Sequence, residues 1–241
     1  MFMHRSTIIW DENQTPISTY FDDVYFNTEG AIDETRYVFI EGNDLYQRFL
    51  HHEQDTFIVG ETGFGSGLSF LILWQSFLNF RNQYPDHILK KLKFFSVEKF
   101  PLLPEELLQI HFNVLKKDKC LQKLALQLQT SLSEGKNICQ FDSITLSIFY
   151  DDVSYFPDFL KKQNILINSW FFDGFSPAKN PDMWSESLFK KCYLLTALNG
   201  TFATFTAAGF VRRNLVNAGF NVSKRKGFGI KREMLIGNKI I

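Results

Sequence analysis

From Thr56 onward, short apolar runs alternate with longer helical patterns. Phe57–Gly60, Leu92–Val97, Ile144–Tyr150, Ile165–Phe172 and Phe202–Thr206 have the length and the aromatic and β-branched content of strands. Only Asn168 and Ser169 interrupt Ile165–Phe172, so this strand is expected to be buried on both faces. Between the strands, Gly67–Arg81 predicts a helix that is apolar nearly all round, and Pro104–Phe112 predicts one with proline in its first turn. Lys116–Leu132 predicts another. A further helix is expected after Asn180 as N-cap and Pro181 at the first helical position, with Gly200 as its stop. Ala208–Ala218, closed by Gly219, is the last helix. Asn221–Arg225 and Ile230–Ile236 then flank Gly227-Phe228-Gly229 as a hairpin.

The first 45 residues carry a different signature. Phe21–Phe26 and Tyr37–Ile40 are β-prone, the turn-forming stretch Asn27–Gly30 separates them, and Asp44–His52 suits a short helix. The chain therefore predicts one α/β domain: a β-rich N-terminal extension over 1–55 packed on a core over 56–241. In that core a mostly parallel sheet carries helices on both faces and ends in an antiparallel hairpin. The arrangement is typical of Rossmann-like class I methyltransferases that use S-adenosylmethionine.

Composition supports a substantial core, with 45% hydrophobic residues and 27 Phe in 241 positions. No apolar run approaches the roughly 18 residues that a membrane span needs. The N-terminus is too polar for a signal peptide, and the three cysteines have neither metal spacing nor an even count. These features predict a reduced, cytoplasmic protein. The five histidines show no ligand pattern, so no metal is expected. Net charge is zero but polarised, with −9 over residues 1–61 and +7 over 212–241. Either a polyanion binds the basic end, or a basic face balances an acidic one within the fold.

Candidate chemistry clusters at the predicted strand ends. Glu61-Thr-Gly63-Phe64-Gly65-Ser-Gly67 joins the first parallel strand to its helix. Glycines here let the backbone turn tightly and approach a ligand. Leu68 stands where a dinucleotide fingerprint has its third glycine, and no P-loop Lys-Ser/Thr pair follows. A carboxylate at Glu61 repels a diphosphate but suits the ammonium group of S-adenosylmethionine. Glu98 ends the next strand, where an acid accepts from ribose hydroxyls. Lys99 follows it, and Phe100 can pack on adenine. Asp151-Asp152 ends the third, placing Asp152 to accept from the adenine amino group. Asp173 ends the fourth, beside the expected position of the reactive methyl. There it can accept a hydrogen bond from an attacking amine and stabilise the charge that the amine acquires. Tyr25, Phe175 and Trp184 are candidates to stack on a base or on the cofactor. Pro177 lies in the loop expected to wall the base pocket. Arg212, Arg213, Lys224, Arg225, Lys226, Lys231 and Arg232, with Phe228 among them, form a basic surface of the kind that contacts RNA. The two basic runs of the hairpin are expected to face each other.

Seven collinear blocks resemble the methyltransferase module of the MnmC family, the tRNA 5-methylaminomethyl-2-thiouridine biosynthesis proteins. They are FDDVYF at 21–26, ETRYVF at 34–39, ETGFGSGLSFL at 61–71, EKFPL at 98–102, DGFSPAKNPDMW at 173–184, ATFTAAGFVRR at 203–213 and KRKGFGIKREML at 224–235. Ser66 and Ser69 replace the more usual Thr and Asn without removing a charge or a glycine. The resemblance implies methyl transfer from S-adenosylmethionine to the aminomethyl group of a wobble uridine in tRNA. Asp173 would sit at the reaction centre. Glu61, Gly63, Gly65 and Gly67 would hold the methionine side, Glu98 the ribose and Asp152 the adenine. Bifunctional members continue into an FAD-dependent oxidase, and no flavin fingerprint occurs in these 241 residues. Two alternatives of other classes are an RNA-binding module with a vestigial cofactor fold and an adenosine-cofactor oxidoreductase.

Overall fold

The computed structural model describes residues 8–12, 15–25 and 30–240. Its centre is an eight-stranded sheet. The strands in chain order are β4 (Thr56–Glu61), β5 (Lys91–Val97), β6 (Ile138–Phe141), β7 (Ile144–Phe149), β8 (Ile167–Phe171), β9 (Thr196–Thr204), β10 (Asn221–Lys226) and β11 (Glu233–Asn238), arranged spatially as β10-β11-β9-β8-β4-β5-β7-β6. Strands β7, β5, β4, β8 and β9 are parallel, whereas β6, β11 and β10 join antiparallel to their neighbours. The chain builds outward from β4 to β7, then crosses back to lay β8 on the other side of β4. Order therefore reverses between β4 and β8, and the carboxyl ends of strands at such a point leave a crevice for ligands.

Helices cover both faces. On one lie α3 (Leu68–Gln83), α4 (Pro104–Leu115) and α5 (Lys119–Ser133), joined by α1 (Ala31–Thr35) and α2 (Leu45–Leu50) from the N-terminal segment. On the other lie α6 (Phe156–Lys162), α7 (Glu186–Leu194) and α8 (Gly209–Ala218). Helix α3 is buried nearly all round, from Leu68 and Phe70 to Phe77 and Phe80, as its sequence predicts. Fully burying side chains of this size stabilises by about 1.5–3 kcal/mol each. In front of the crevice stands a small antiparallel sheet of β1 (Ile8–Trp10), β2 (Pro16–Ser18) and β3 (Asp23–Val24).

Several expectations change. Tyr37–Ile40 is not a strand but part of a π-helical segment, Arg36–Glu41, continuous with α1. Its adjacent Val38 and Phe39 are both buried, and a helical backbone can turn neighbouring side chains inward together where a strand would separate them. Phe39 stacks on Phe171 with ring centroids 4.9 Å apart. Only Asp23–Val24 of Phe21–Phe26 pairs as a strand; Phe26 and Asn27–Glu29 lie outside the described residues.

Asn180 does not cap the helix. Pro181–Trp184 is a single tight turn, and Ser185 caps α7, its side chain accepting from the Leu188 amide. Gly200 is no helix stop either. It lies inside β9, which starts at Thr196, where a register shift against β8 accommodates it. Strand β6 and helix α6 were not expected, because each is too short for its periodicity to register.

The hairpin is present, but its basic runs do not face each other. Lys224, Arg225 and Lys226 pair with Leu235, Met234 and Glu233, while Lys231 and Arg232 fall in the turn.

Candidate active site

At the point of strand reversal, Thr62 and Asp173 bind each other. The Thr62 hydroxyl donates to the Asp173 carbonyl at 2.7 Å and accepts from the Asp173 amide at 3.0 Å. The Asp173 carboxylate accepts from the Gly174 amide at 2.9 Å. Burial pushes its pKa up to about 7, against the Gly174 hydrogen bond and the Lys231 charge, which lower it, and in concert with Glu34. Asp173 is thus a carboxyl group poised to exchange its proton near neutrality.

The Gly-rich loop rises beside it. A Cβ at Gly63 would come within 3.2 Å of the Asp173 carbonyl and 3.3 Å of the Gly174 Cα, so a side chain there would press on the neighbouring strand tip. Gly67 adopts φ +71°, a left-handed turn that starts α3. Glu98 holds the loop from the neighbouring strand. One of its carboxylate oxygens accepts from the Gly65 amide at 2.9 Å and the other from the Phe100 amide at 2.7 Å. From below, His111 of α4 bonds through Nε2 to the Ser66 carbonyl at 2.8 Å, while Gln129 of α5 meets its Nδ1 at 2.7 Å. A carbonyl only accepts, so Nε2 carries the proton. His111 is 3% exposed, and burial drops its pKa to about 4, so the ring is neutral.

Glu61 is 0% exposed and lies behind the loop. Its carboxylate accepts from the Ser69 hydroxyl, and from that of Ser96 at 2.7 Å. Burial first, and then the nearby Asp173, raise its pKa well above the ordinary carboxylate range. Ser69 lines the cavity and Glu61 does not.

The cavity bounded by these groups measures about 300 Å³. Glu98, Lys99, Phe100, Asp151 and Asp152 line one end, and Asp173, Gly174 and Phe175 the other. Lys99 binds Asp152 at 2.8 Å. Asp152 also accepts from Ser154, through its amide at 3.0 Å and its hydroxyl at 2.7 Å. Against its burial, the hydrogen bonds from Lys99 and Ser154 keep its pKa below the usual value. The outer wall is aromatic and comes largely from the N-terminal segment. Tyr20 packs on Phe100 at 4.6 Å, Phe21 stacks on Phe175 at 4.4 Å, and Tyr25 meets Phe175 edge-on at 5.1 Å. Asp23 accepts from the Ser176 amide at 2.7 Å and Asp22 pairs with Lys179, fastening this wall to the loop after Asp173.

Of the residues expected to hold cofactor or base, Gly63, Glu98, Lys99, Phe100, Asp152, Asp173, Tyr25 and Phe175 converge on the cavity. Phe64 and Gly65 also line the cavity, whereas Gly67, like Glu61, supports it from behind. Pro177 is buried and lies outside the lining. Trp184 is no stacking platform. It is 1% exposed, donates from Nε1 to the Phe175 carbonyl at 3.0 Å and meets Phe205 edge-on. Sequence reasoning missed Thr62, Ser69, Ser96, His111, Tyr20 and Phe21. Thr62 and Ser69 lie within the ETGFGSGLS motif itself, and Tyr20–Phe21 adjoins Tyr25, but nothing in the sequence tied His111 or Ser96 to the loop.

A family model described as S-adenosyl-L-methionine-dependent methyltransferase matches residues 116–240, more than half of the chain. The chain belongs to this methyltransferase family. Over 235 residues it is 44% identical to the tRNA 5-methylaminomethyl-2-thiouridine biosynthesis bifunctional protein MnmC of Aliivibrio fischeri, a match that takes in 97% of this chain and 35% of that protein. The chain thus spans about a third of that relative's length. The solved structure of MNMC2 from Aquifex aeolicus superposes with a TM-score of 0.69 at 20% identity, covering 98% of this chain and 70% of the other. That is a likeness of fold.

The cofactor of this methyltransferase is S-adenosylmethionine, and the cavity fits it. Carboxylates at Glu98 and Asp151-Asp152 suit ribose and adenine donors, and the rings of Phe100 and Tyr20 suit an adenine face. Asp173 at the opposite end suits a sulfonium. Among the described residues no group of metal-ligating side chains gathers, and no helix is long and apolar enough to cross a membrane.

Proposed function

We propose that this methyltransferase modifies tRNA, methylating the aminomethyl group of wobble 5-aminomethyluridine or its 2-thio form to the 5-methylaminomethyl product. The observation that carries this reading is Asp173, a carboxyl with a pKa near 7 at the bottom of an aromatic-walled cavity beside the glycine loop. When bound, S-adenosylmethionine supplies an electrophilic methyl group there.

An amine attacks only through its free lone pair. The ionised Asp173 accepts a hydrogen bond from the amine, turns the lone pair toward the methyl carbon and stabilises the cation that forms. Thr62 fixes the Asp173 backbone, so the carboxylate does not swing away. Phe175 and Tyr25, in contact with each other, wall the side on which the uracil ring would lie and exclude water. Glu98 would accept from the ribose hydroxyls and Asp152 from the adenine amino group, with Phe100 available to pack on adenine. Glu61 acts through Ser69 on the methionine end. The cations at the hairpin and at the start of α8 meet the tRNA backbone. The Aliivibrio relative is named bifunctional, and a fused FAD-dependent oxidase would supply the amine. A tRNA substrate places the enzyme in the cytoplasm.

The test is mass spectrometry of nucleosides from tRNA carrying 5-aminomethyluridine, incubated with the protein and S-adenosylmethionine. A gain of one methyl group on the wobble nucleoside supports the reading. Its absence, with cofactor binding intact, refutes the substrate.

A further inference from the structure

The turn between β10 and β11 stands on the same edge of the sheet as Asp173. Strand β11 runs antiparallel to β9, and β10 antiparallel to β11, so Lys226 and residues 227–232 lie level with the tip of β9 and the start of α8. The turn is tied down. Lys231 pairs with Glu34 at 2.6 Å and Arg225 with Glu41 at 3.1 Å. The Tyr37 hydroxyl donates to the Lys226 carbonyl at 2.8 Å, and the Phe228 ring packs against Tyr37 at 5.8 Å. Within the hairpin, Lys224 pairs with Glu233 at 2.7 Å. Lys224, Arg225 and Lys231 are therefore neutralised by acids of this chain. Lys226 and Arg232 are exposed and form no ion pair among the described residues. Between them projects Ile230, 104% exposed, the most exposed of the large hydrophobic side chains among the described residues.

We infer that Ile230 is a wedge that enters the stack of an RNA loop beside the target nucleotide, with Lys226 and Arg232 on the flanking phosphates. This rests on the proposed tRNA substrate. A base that reacts inside a protein cavity must leave its stack, and the stack resists by a few kcal/mol. Aliphatic side chains pressed between base steps offset that cost by holding neighbouring bases apart.

A single exposed apolar residue means nothing by itself. Here it crowns an anchored turn on the reactive edge, between two hairpin cations that form no ion pair among the described residues. One isoleucine on a cationic tip offers far less apolar area than a protein partner, which needs about 800 Å² per side. The ion pairs of Lys224, Arg225 and Lys231 hold the wedge in place.

The experiment uses an anticodon stem-loop with 2-aminopurine beside the target uridine. Wild-type protein raises the fluorescence as the reporter unstacks. Ile230→Ala folds normally, because its side chain touches solvent only, but it loses most of that rise. Its kcat/KM on tRNA falls about ten-fold, in line with loss of a base contact, while the free nucleoside 5-aminomethyluridine is methylated at the wild-type rate. Lys226→Ala with Arg232→Ala weakens binding and lowers the slope of log affinity against log salt by about two. No fluorescence rise with wild-type protein, a full rise with Ile230→Ala, or an equal loss on tRNA and on free nucleoside overturns the wedge. The fluorescence needs no methyl transfer, so failure of the substrate assignment registers separately, as the absence of any methyl gain with wild-type enzyme.

Discussion

Thr62 and Asp173 hold each other across the reversal of the sheet, the hydroxyl of one bonded to both the carbonyl and the amide of the other at 2.7 and 3.0 Å. Thr62→Val keeps the shape and removes both bonds, leaving two backbone groups without this partner. Loss of about 1–3 kcal/mol of stability is expected from unmade bonds of this kind. Methyl transfer should fall about ten-fold with cofactor affinity little changed. Denaturant unfolding and steady-state kinetics measure the two effects, and wild-type kinetics in a destabilised variant would show that the pair serves only folding.

Asp173→Asn should bind S-adenosylmethionine within a few-fold of wild type and transfer methyl about 10²–10³-fold more slowly, the usual cost of one misplaced stabilising group. Calorimetric titration and single-turnover kinetics check it. Full activity on aminomethyl-tRNA would remove Asp173 from the mechanism.

The pKa of Asp173 also sets a pH dependence. Its folded value, about 7, lies above the ordinary value of 3.8, so the folded protein binds the proton more tightly than the unfolded chain. That contribution is complete in acid and is lost as pH rises through about 7. Between pH 4 and pH 7 wild type should therefore lose stability relative to Asp173→Asn. Methyl transfer should rise over the same range as the carboxylate ionises. Urea unfolding of both proteins at pH 5 and pH 8 tests the first expectation; a constant stability difference contradicts it.

Glu98→Ala removes the acceptor that holds the Gly65 and Phe100 amides. Hydrogen bonds to charged groups contribute about 1.5–3 kcal/mol, so affinity for S-adenosylmethionine should drop at least ten-fold. Titration calorimetry reads it, and unchanged affinity would place the ribose elsewhere.

His111→Gln sets an amide nitrogen near the position of Nε2 and should keep the bond to Ser66, whereas His111→Leu leaves the Ser66 carbonyl and Gln129 unpartnered. The Leu variant should bind cofactor about ten-fold more weakly, and the Gln variant near normally. Equal behaviour of the two would show that His111 only fills space.

The parallel strands and the acids at their ends were legible because each signal is local. An apolar run ending in Glu61, Glu98, Asp151-Asp152 or Asp173 carries its meaning within a few residues. Trp184 misled for the same reason. Locally it is an aromatic in a reactive loop, but Phe175, Phe189 and Phe205 enclose it. Gly200 misled because a helix stop and a strand irregularity look alike in sequence. Tyr37–Ile40 misled because β-propensity yields to the burial of Val38 and Phe39 side by side.

The basic tail shows where charge composition stops. Sequence alone offered a polyanion surface or an internal balance of charge. The structure shows the internal balance, with Lys231 and Arg225 paired to Glu34 and Glu41 nearly two hundred positions away, while Lys226 and Arg232 are exposed and form no ion pair among the described residues.

By itself the sequence determined the alternation of strand and helix, the glycine loop and the order of the acids, because hydrophobic periodicity and backbone freedom act between near neighbours. Only the tertiary structure decided that Thr62 would grip Asp173, that His111 would support Ser66, that Glu61 would lie behind the cavity and that Phe21 would roof it. Those relations join residues far apart in the chain, and their energies depend on burial and distance, which exist only once the sheet has brought the strand ends together.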